Sequence, residues 1–588
     1  MLTRFIPWKF LLRRFATSQG FIDPLALLAQ FNRFAKPAEL VAPTELMRAG
    51  ARLHARGLIN SQAIQHNLDW VWPYWVARQF DPRSKSFVPR AFALTHINLT
   101  HRNWTAVGVP GYDAMPIVDP HGLVTPLYDS WSLDFWLVDK EGNALLPPRH
   151  AGMKQLMGDR EGLSIETSGT EGDSELRSTV WATIDENRPQ CRMEIEGRMA
   201  KGGVIVVSLR PFNPEGVSFI DKIGRTDDNR AWRVNGHDQI VFDEPPATQL
   251  FSHYHGGDVL GRVQSRESLD RRGTIRCPVG MATAAALYEV GPGESKQVHV
   301  HVPLPRATSD PRPRHKTTVS TAKLWDNALD GACRIDIPSG HMRFLFENGM
   351  RTLALHAPDD VYAGPYTYKR FWFRDAVLIG NAMYTMNMVD RAQDILDAFP
   401  TRQTTLGYFL SQEGEWDSNG QVLWFARKLL AQRSEEAQHK WSGAVRRAEE
   451  WIRRKRLPSD DDDPHAGLMP AGFSAEHLGP NDFYYWDDYW SAAGLFSSAE
   501  LFDTWGMTRE GKRAREAGKS LMHAIDRSLE AVEKRLGRKA IPAAPDRRLD
   551  SAAVGSLAAS YPLRLSEPDD PRVLGTADFL LHDCMVKD

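Results

Sequence analysis

The sequence predicts an antiparallel β-sandwich followed by a helical domain, and three observations carry that prediction. Between residues 85 and 305, short runs of β-branched and aromatic residues alternate with Gly, Pro, Asn and Asp, with no long helical pattern between them. From about residue 341 to 588 the texture changes to amphipathic helical spacing. Between the two, RATSDPRPRHKTTVS (306–320) is Pro-rich, basic and polar, the composition of a linker, here taken as 306–340. A chain of 588 residues exceeds one ordinary core, so several domains are expected.

Residues 1–84 read as a helical segment that packs on the other domains. ELMRAGARLHARGL (45–58) is amphipathic, and Pro73 interrupts the helical segment that follows it. The aromatic cluster Trp70–Trp75 needs a partner surface to bury against, which predicts packed domains rather than beads on a string. In 85–305 the strands include WSLDFWLVD (131–139), CRMEIEG (191–197), GGVIVVSLRPF (202–212) and KQVHVHVPL (296–304), with turns at DPHG (119–122) and KEGN (140–143). Helices are expected near 343–357, 373–388, 389–399, 419–432, 435–456, 489–506, 508–538, 549–560 and 571–583.

Several classes of function are disfavoured. A formal net charge of −2 with interspersed signs gives no electrostatic footprint for nucleic acid or an anionic membrane. No run offers the ~18 uninterrupted apolar residues of a membrane span. The basic N-terminal stretch MLTRFIPWKFLLRRFA lacks a following cleavage site, and the four cysteines (Cys191, Cys277, Cys333, Cys584) share no metal spacing. A cytoplasmic protein with free thiols is expected, in which the N-x-T sequons at Asn98 and Asn103 carry no meaning. His253 and His255 lack a third ligand, so their loop reads as surface and no metal is expected. RRKR (453–456) reads as a helix end and DDDD (460–463) as a solvated loop.

Three segments of the helical half join aromatic rings to carboxylates. YTYKRFWFRDA (366–376) sets Arg374 and Asp375 behind Tyr368 and Trp372, and an adjacent Arg and Asp can donate to and accept from vicinal hydroxyls. EGEWDSNGQ (413–421) sets three carboxylates around Trp416, with Asp417 or Ser418 able to cap the helix that follows. NDFYYWDDYW (481–490) surrounds Asp487 and Asp488 with six rings, Trp486 among them. Flat rings stack on sugar faces, carboxylates bind hydroxyls, and a dry setting raises a carboxyl pKa toward that of a general acid. The competing reading of each segment is structural: an ion pair, a cap, or a helix start with core aromatics. Three such segments in one helical domain favour a polyol or sugar pocket.

Y-x-x-x-x-F-W-F-R-D-A resembles the Y-x-x-x-W-x-R-D-A signature of the glucoamylase-like glycoside hydrolases, and WDD (486–488) resembles their L-W-E-E segment. The resemblance spans roughly 320–580. It implies an (α/α)6 barrel after an N-terminal β-sandwich, and an inverting hydrolase of an α-linked glucoside that needs no cofactor. It further implies Asp487 as general acid, Asp488 as its substrate-binding neighbour, and Trp372, Arg374 and Asp375 in the sugar subsite. The chain departs from the pattern in carrying Asp at both acid positions. The nine helical segments fall short of the twelve of a closed barrel, so the barrel is expected to be incomplete at its C-terminal end. The family's general base would then lie beyond residue 588, unless Glu415 or Asp417 faces Asp487. The substrate expected is an oligosaccharide or small glucoside. A phosphorylase of the same architecture and a non-catalytic, carbohydrate-binding degenerate barrel are the alternatives. Phosphate dependence of sugar release separates the first, and binding without turnover the second.

Overall fold

The computed structural model describes residues 44–88, 96–99, 104–185, 188–267, 273–305, 320–431, 435–459, 463–473 and 481–585. The basic N-terminal stretch, Asn103, most of the 306–320 linker and Asp460–Asp462 lie outside them. The chain separates into two compact units, one of Met47–Ala398 and one containing Phe399–Asp588.

The first unit opens within α1 (Thr44–His66), one continuous helix over the amphipathic stretch 45–58 and the start of the helical segment read after it. It is tied down by Asn60, which is fully buried. The Asn60 amide donates to the carbonyls of His96 (2.8 Å) and Glu215 (3.1 Å) and accepts from the Val217 N–H (2.9 Å). Gly216 follows from this, because a Cβ there would fall 2.1 Å from the Asn60 side chain. Pro73 ends the extended link and precedes α2 (Tyr74–Phe80). Trp70 and Trp75 are buried in the sandwich core and Trp72 stacks on Phe212 at 5.3 Å, the partner surface the aromatic cluster required.

Among the described residues the strands form an eight-stranded and a nine-stranded antiparallel sheet and a two-stranded one of Phe212–Asn213 with Gly216–Val217. The facing side chains of the two large sheets, including Phe135, Leu137, Ile205 and Val207 from one and Val180, Met193, Ile195 and Val300 from the other, make one core. The strand Arg188–Met199 alternates between buried and solvent-facing residues, as a half-buried strand should. Ser132–Asp139 is buried almost throughout, since Trp136 and Val138 on its outer face are covered by α3 (Val259–Gln264). Asp258 caps α3 and is clamped by the buried Arg210 at 2.8 and 2.5 Å. Both expected turns form: Asp119 Oδ1 accepts the N–H groups of His121 and Leu123, and Asp139 Oδ1 those of Glu141 and Asn143. The Asn98 amide donates to the Pro214 carbonyl and is buried, so that sequon is structural. His253 and His255 flank an exposed turn.

Four helices complete this unit: α4 (Thr321–Ala328), α5 (Gly340–His356), α6 (Phe373–Thr385) and α7 (Val389–Ala398). Sequence reading placed α4 in the linker. It is short, but Ser320 caps it and Thr321 is buried, its hydroxyl accepting the Ile184 N–H. Leu355 of α5 packs against Gly108, where a Cβ would meet it at 3.0 Å.

The second unit contains α8 (Ser418–Leu430), α9 (Glu435–Lys455), α10 (Tyr485–Thr504), α11 (Thr508–Leu536) and α12 (Pro571–Phe579), with a 3-10 segment over Ser551–Ala559. Each matches an expected helix within a few residues, except that α10 begins four residues early. That shift moves Trp486, Asp487 and Asp488 from a loop into the first helical turn. Helices α8 and α10 run parallel and in contact: Asp417 meets Trp486, Gly420 meets Trp490 and Trp424 meets Trp490. All four cysteines are free.

Candidate functional site

Two parallel helices with adjacent N-termini present two positive dipole ends at one place, which favours carboxylates there. Asp417 stands at the start of α8 and Asp487 and Asp488 in the first turn of α10. Asp417, at the N-cap of α8, makes no side-chain cap bond, and the N-cap position of α10 is held by Tyr484. Asp417, 1% exposed, instead accepts the Trp486 indole N–H (2.7 Å) and the Gln421 amide (2.9 Å) on Oδ2. That bond joins α8 to α10 and fixes the half-buried Trp486 ring, whose other side packs near Ala543 and Ala544.

Asp487 and Asp488 are buried and diverge. Asp487 turns toward Gly472, where an added Cβ would lie 2.8 Å from Oδ2, 2.7 Å from Trp416 and 2.7 Å from the Gly414 carbonyl. Burial, followed by the charges of Glu415, Glu413, Asp417 and Asp487, pushes the Tyr408 phenol well above its usual range. The Tyr408 hydroxyl donates to the Gln412 and Glu415 carbonyls and its ring lies 5.6 Å from Trp416, so the 413–417 loop is built against it. Asp488 accepts the Met469 N–H at 2.7 Å, and its Oδ2 has no hydrogen-bond partner among the described residues. Burial pushes the Asp488 carboxyl up to about 7, against the opposing pull of the Met469 N–H and the Arg456 charge.

This has a sign that can be measured. Asp488 keeps its proton in the folded chain up to about pH 7 but loses it near 3.8 when unfolded. Its contribution is present below 3.8 and is lost as pH rises to 7. Asp488→Asn imitates the protonated form. The variant should match the parent below pH 4 and gain on it as pH rises, exceeding it by about 4 kcal/mol at pH 8, read from urea midpoints. Equal pH slopes in the two proteins would contradict this.

Trp416 is 1% exposed, lies beside Tyr408 and Trp451, donates to the Ala471 carbonyl and carries the Lys455 ammonium 3.8 Å over its ring. It supports the cluster from beneath. Tyr408, Gly472, Gln421 and Lys455 were not found by sequence reading. Gly472 lies 15 residues from Asp487 in sequence, and no spacing marks it.

In the first unit, Arg374 and Asp375 lie in the first turn of α6, Arg374 buried and Asp375 half-buried. Trp372 precedes the helix with the Arg370 guanidinium 4.3 Å over its ring and Tyr368 at 6.1 Å. Tyr368 is 53% exposed. The loop is anchored to the sandwich: the Tyr366 hydroxyl donates to Asp129 (2.7 Å), Thr367 to Glu215 (3.0 Å) and Lys369 to the Asp113 carbonyl (2.6 Å). Among the described residues no cluster of three His, Cys, Asp or Glu is placed to hold a metal, and no helix is long and apolar enough to cross a membrane.

No protein-family model matches the sequence, and no curated protein is similar to it in sequence. Solved structures are similar in fold. A bacterial glucoamylase complexed with acarbose superposes with a TM-score of 0.56 at 10% identity, over 81% of this chain and 78% of that one. An inverting mannosidase of family GH92 from Bacteroides thetaiotaomicron gives 0.39 at 12% identity, over 73% of this chain and 63% of that one. A rhamnosidase of family GH78 from Bacillus gives 0.36 at 14%, over 69% and 38%. The chain thus has the fold of the glucoamylase-like proteins, an antiparallel β-sandwich followed by an (α/α)6-type helical domain.

Proposed function

We propose that the protein is an inverting glycoside hydrolase that acts on an α-linked glucoside, with Asp487 as general acid. The observation that carries the reading is the pair of buried carboxyls in the first turn of α10. Asp488 is fully buried with one hydrogen bond, a placement that costs stability and that a Leu or Asn would avoid. Strongly perturbed carboxyls without a structural return are concentrated at functional sites.

In this reading Asp487 gives its proton to the departing glycosidic oxygen, and the C–O bond breaks as water attacks the opposite face of the anomeric carbon. A second carboxylate takes the proton of that water across a gap of ~6.5–9.5 Å. Glu415 and Asp417, on the loop that meets Asp487 at Gly472, are the candidates for it on this chain. The neutral Asp488 keeps a second negative charge away from the acid below pH 7. Trp372, Arg374 and Asp375 bind the sugar, with the ring for stacking and the Arg–Asp pair for hydroxyls.

The test is product analysis on maltose and longer maltooligosaccharides. Proton NMR at early times should show β-glucose released from the α-linked substrate, at a rate independent of inorganic phosphate. Release of glucose 1-phosphate only when phosphate is added would replace hydrolysis by phosphorolysis. Binding of sugar without release of either product would make the protein a carbohydrate-binding one.

A further inference from the structure

The loop that carries Trp372 is held by the sandwich, and the sandwich returns an exposed ring beside it. Tyr128, in the turn before strand Ser132–Asp139, is 60% exposed. Its ring lies 5.4 Å from Tyr366 and 5.5 Å from the Lys369 ammonium, so its sides toward the loop are filled and the rest faces solvent. Tyr366 is packed on another side by Trp104 at 5.6 Å.

The support is rigid. Asp129, the next residue, holds φ at +50°, a left-handed conformation that is uncommon for a residue other than Gly. It is kept there by the Tyr366 hydroxyl at 2.7 Å and the Arg56 guanidinium at 2.5 Å. Lys369 is only 11% exposed and is held by Asp113 beneath the ring. Large exposed rings on mobile loops need no explanation. Here two exposed tyrosines stand on two adjoining loops: Tyr128 of the sandwich packs on Tyr366 and Lys369, and Tyr368, which lies between those two in the chain, is 6.1 Å from Trp372. Stacking surfaces are most effective when braced, because little side-chain freedom is lost on binding.

We propose that Tyr128 and Tyr368 form a second sugar-binding platform, which takes a further glucosyl unit of an α-linked gluco-oligosaccharide beside the unit held by Trp372, Arg374 and Asp375. The proposal rests on the sugar-binding reading of those three residues. It assigns part of the chain-length preference to the β-sandwich through Tyr128.

The test is equilibrium binding of maltose and maltoheptaose, by titration calorimetry, to full-length protein carrying Asp487→Asn to suppress turnover. Adding Tyr128→Ala should weaken maltoheptaose about tenfold, the magnitude of one aromatic contact, and leave maltose within twofold. Tyr128→Phe, which keeps the ring and removes the hydroxyl, should bind like the parent. Tyr368→Ala should act in the same direction. Equal affinities of the parent for the two sugars, or an unchanged maltoheptaose affinity in Tyr128→Ala, would overturn the platform. Failure of the hydrolase reading looks different: Tyr128-dependent binding would persist while the protein with Asp487 intact released no sugar.

Discussion

Asp487→Asn is expected to cut turnover of maltose by about 10²–10⁴-fold, the usual contribution of a positioned general acid, with little change in sugar affinity or urea midpoint. Asn keeps the volume of the side chain, so Gly472 and Trp416, which crowd Asp487, meet the same shape. The reaction itself supplies a sharper diagnostic. Fluoride leaves α-glucosyl fluoride with little need of a proton, whereas the glucose oxygen of maltose must be protonated as the bond breaks. A variant that lacks only the acid should therefore keep most of its activity on the fluoride while losing it on maltose. Equal losses on both substrates would show that Asp487 does something other than donate a proton. Full activity on maltose would remove it from the mechanism.

Asp488→Asn should behave otherwise. Its neutral carboxyl at the pH of assay is already close to an amide in charge. The carboxylate that matters for stability and the one proposed for chemistry are thus neighbours in sequence but separable by pH and by leaving group.

The order of sandwich and helices was legible because each rests on local pattern. Alternation reveals a strand such as Arg188–Met199, and amphipathic spacing reveals α9 and α11. The start of α10 was misread for a physical reason: the helix is buried on almost every side, so no apolar stripe marks its phase or its beginning. For the same reason the sequence could not say which way Asp487 and Asp488 face. Trp416 was read as a ring that contacts sugar, and only the fold reveals the Lys455 ammonium over it. The anchoring of Tyr366 by Asp129 joins residues 237 apart, a pairing no window of sequence contains. Composition brought Asp417, Trp486 and Asp487 to attention as types. That Asp417 holds Trp486, rather than a helix end, depends on how closely α8 and α10 approach.

That approach is set by Gly420, and Gly420→Ala is expected to cost about 3 kcal/mol or more of stability, as overpacking against backbone does. A Cβ at Gly420 would lie 2.1 Å from the Trp490 carbonyl oxygen, 2.3 Å from its carbon and 2.8 Å from the Ser491 nitrogen. From the other side, a Cβ at Gly494 would lie 2.5 Å from the Gly420 Cα. Backbone atoms in helices cannot swing aside as a side chain can, so the two helices must part. The Trp424–Trp490 edge contact and the Asp417–Trp486 hydrogen bond both span the widened gap. Turnover should therefore fall with stability, even though Gly420 carries no chemical group. Gly349 in α5 is the control, because a Cβ there meets nothing within 4 Å. Gly349→Ala should raise stability by up to ~1 kcal/mol through helix propensity alone. The comparison is made by urea unfolding, followed by tryptophan fluorescence. If Gly420→Ala unfolds at the parent midpoint and retains full turnover, the close α8–α10 contact does not organise the site.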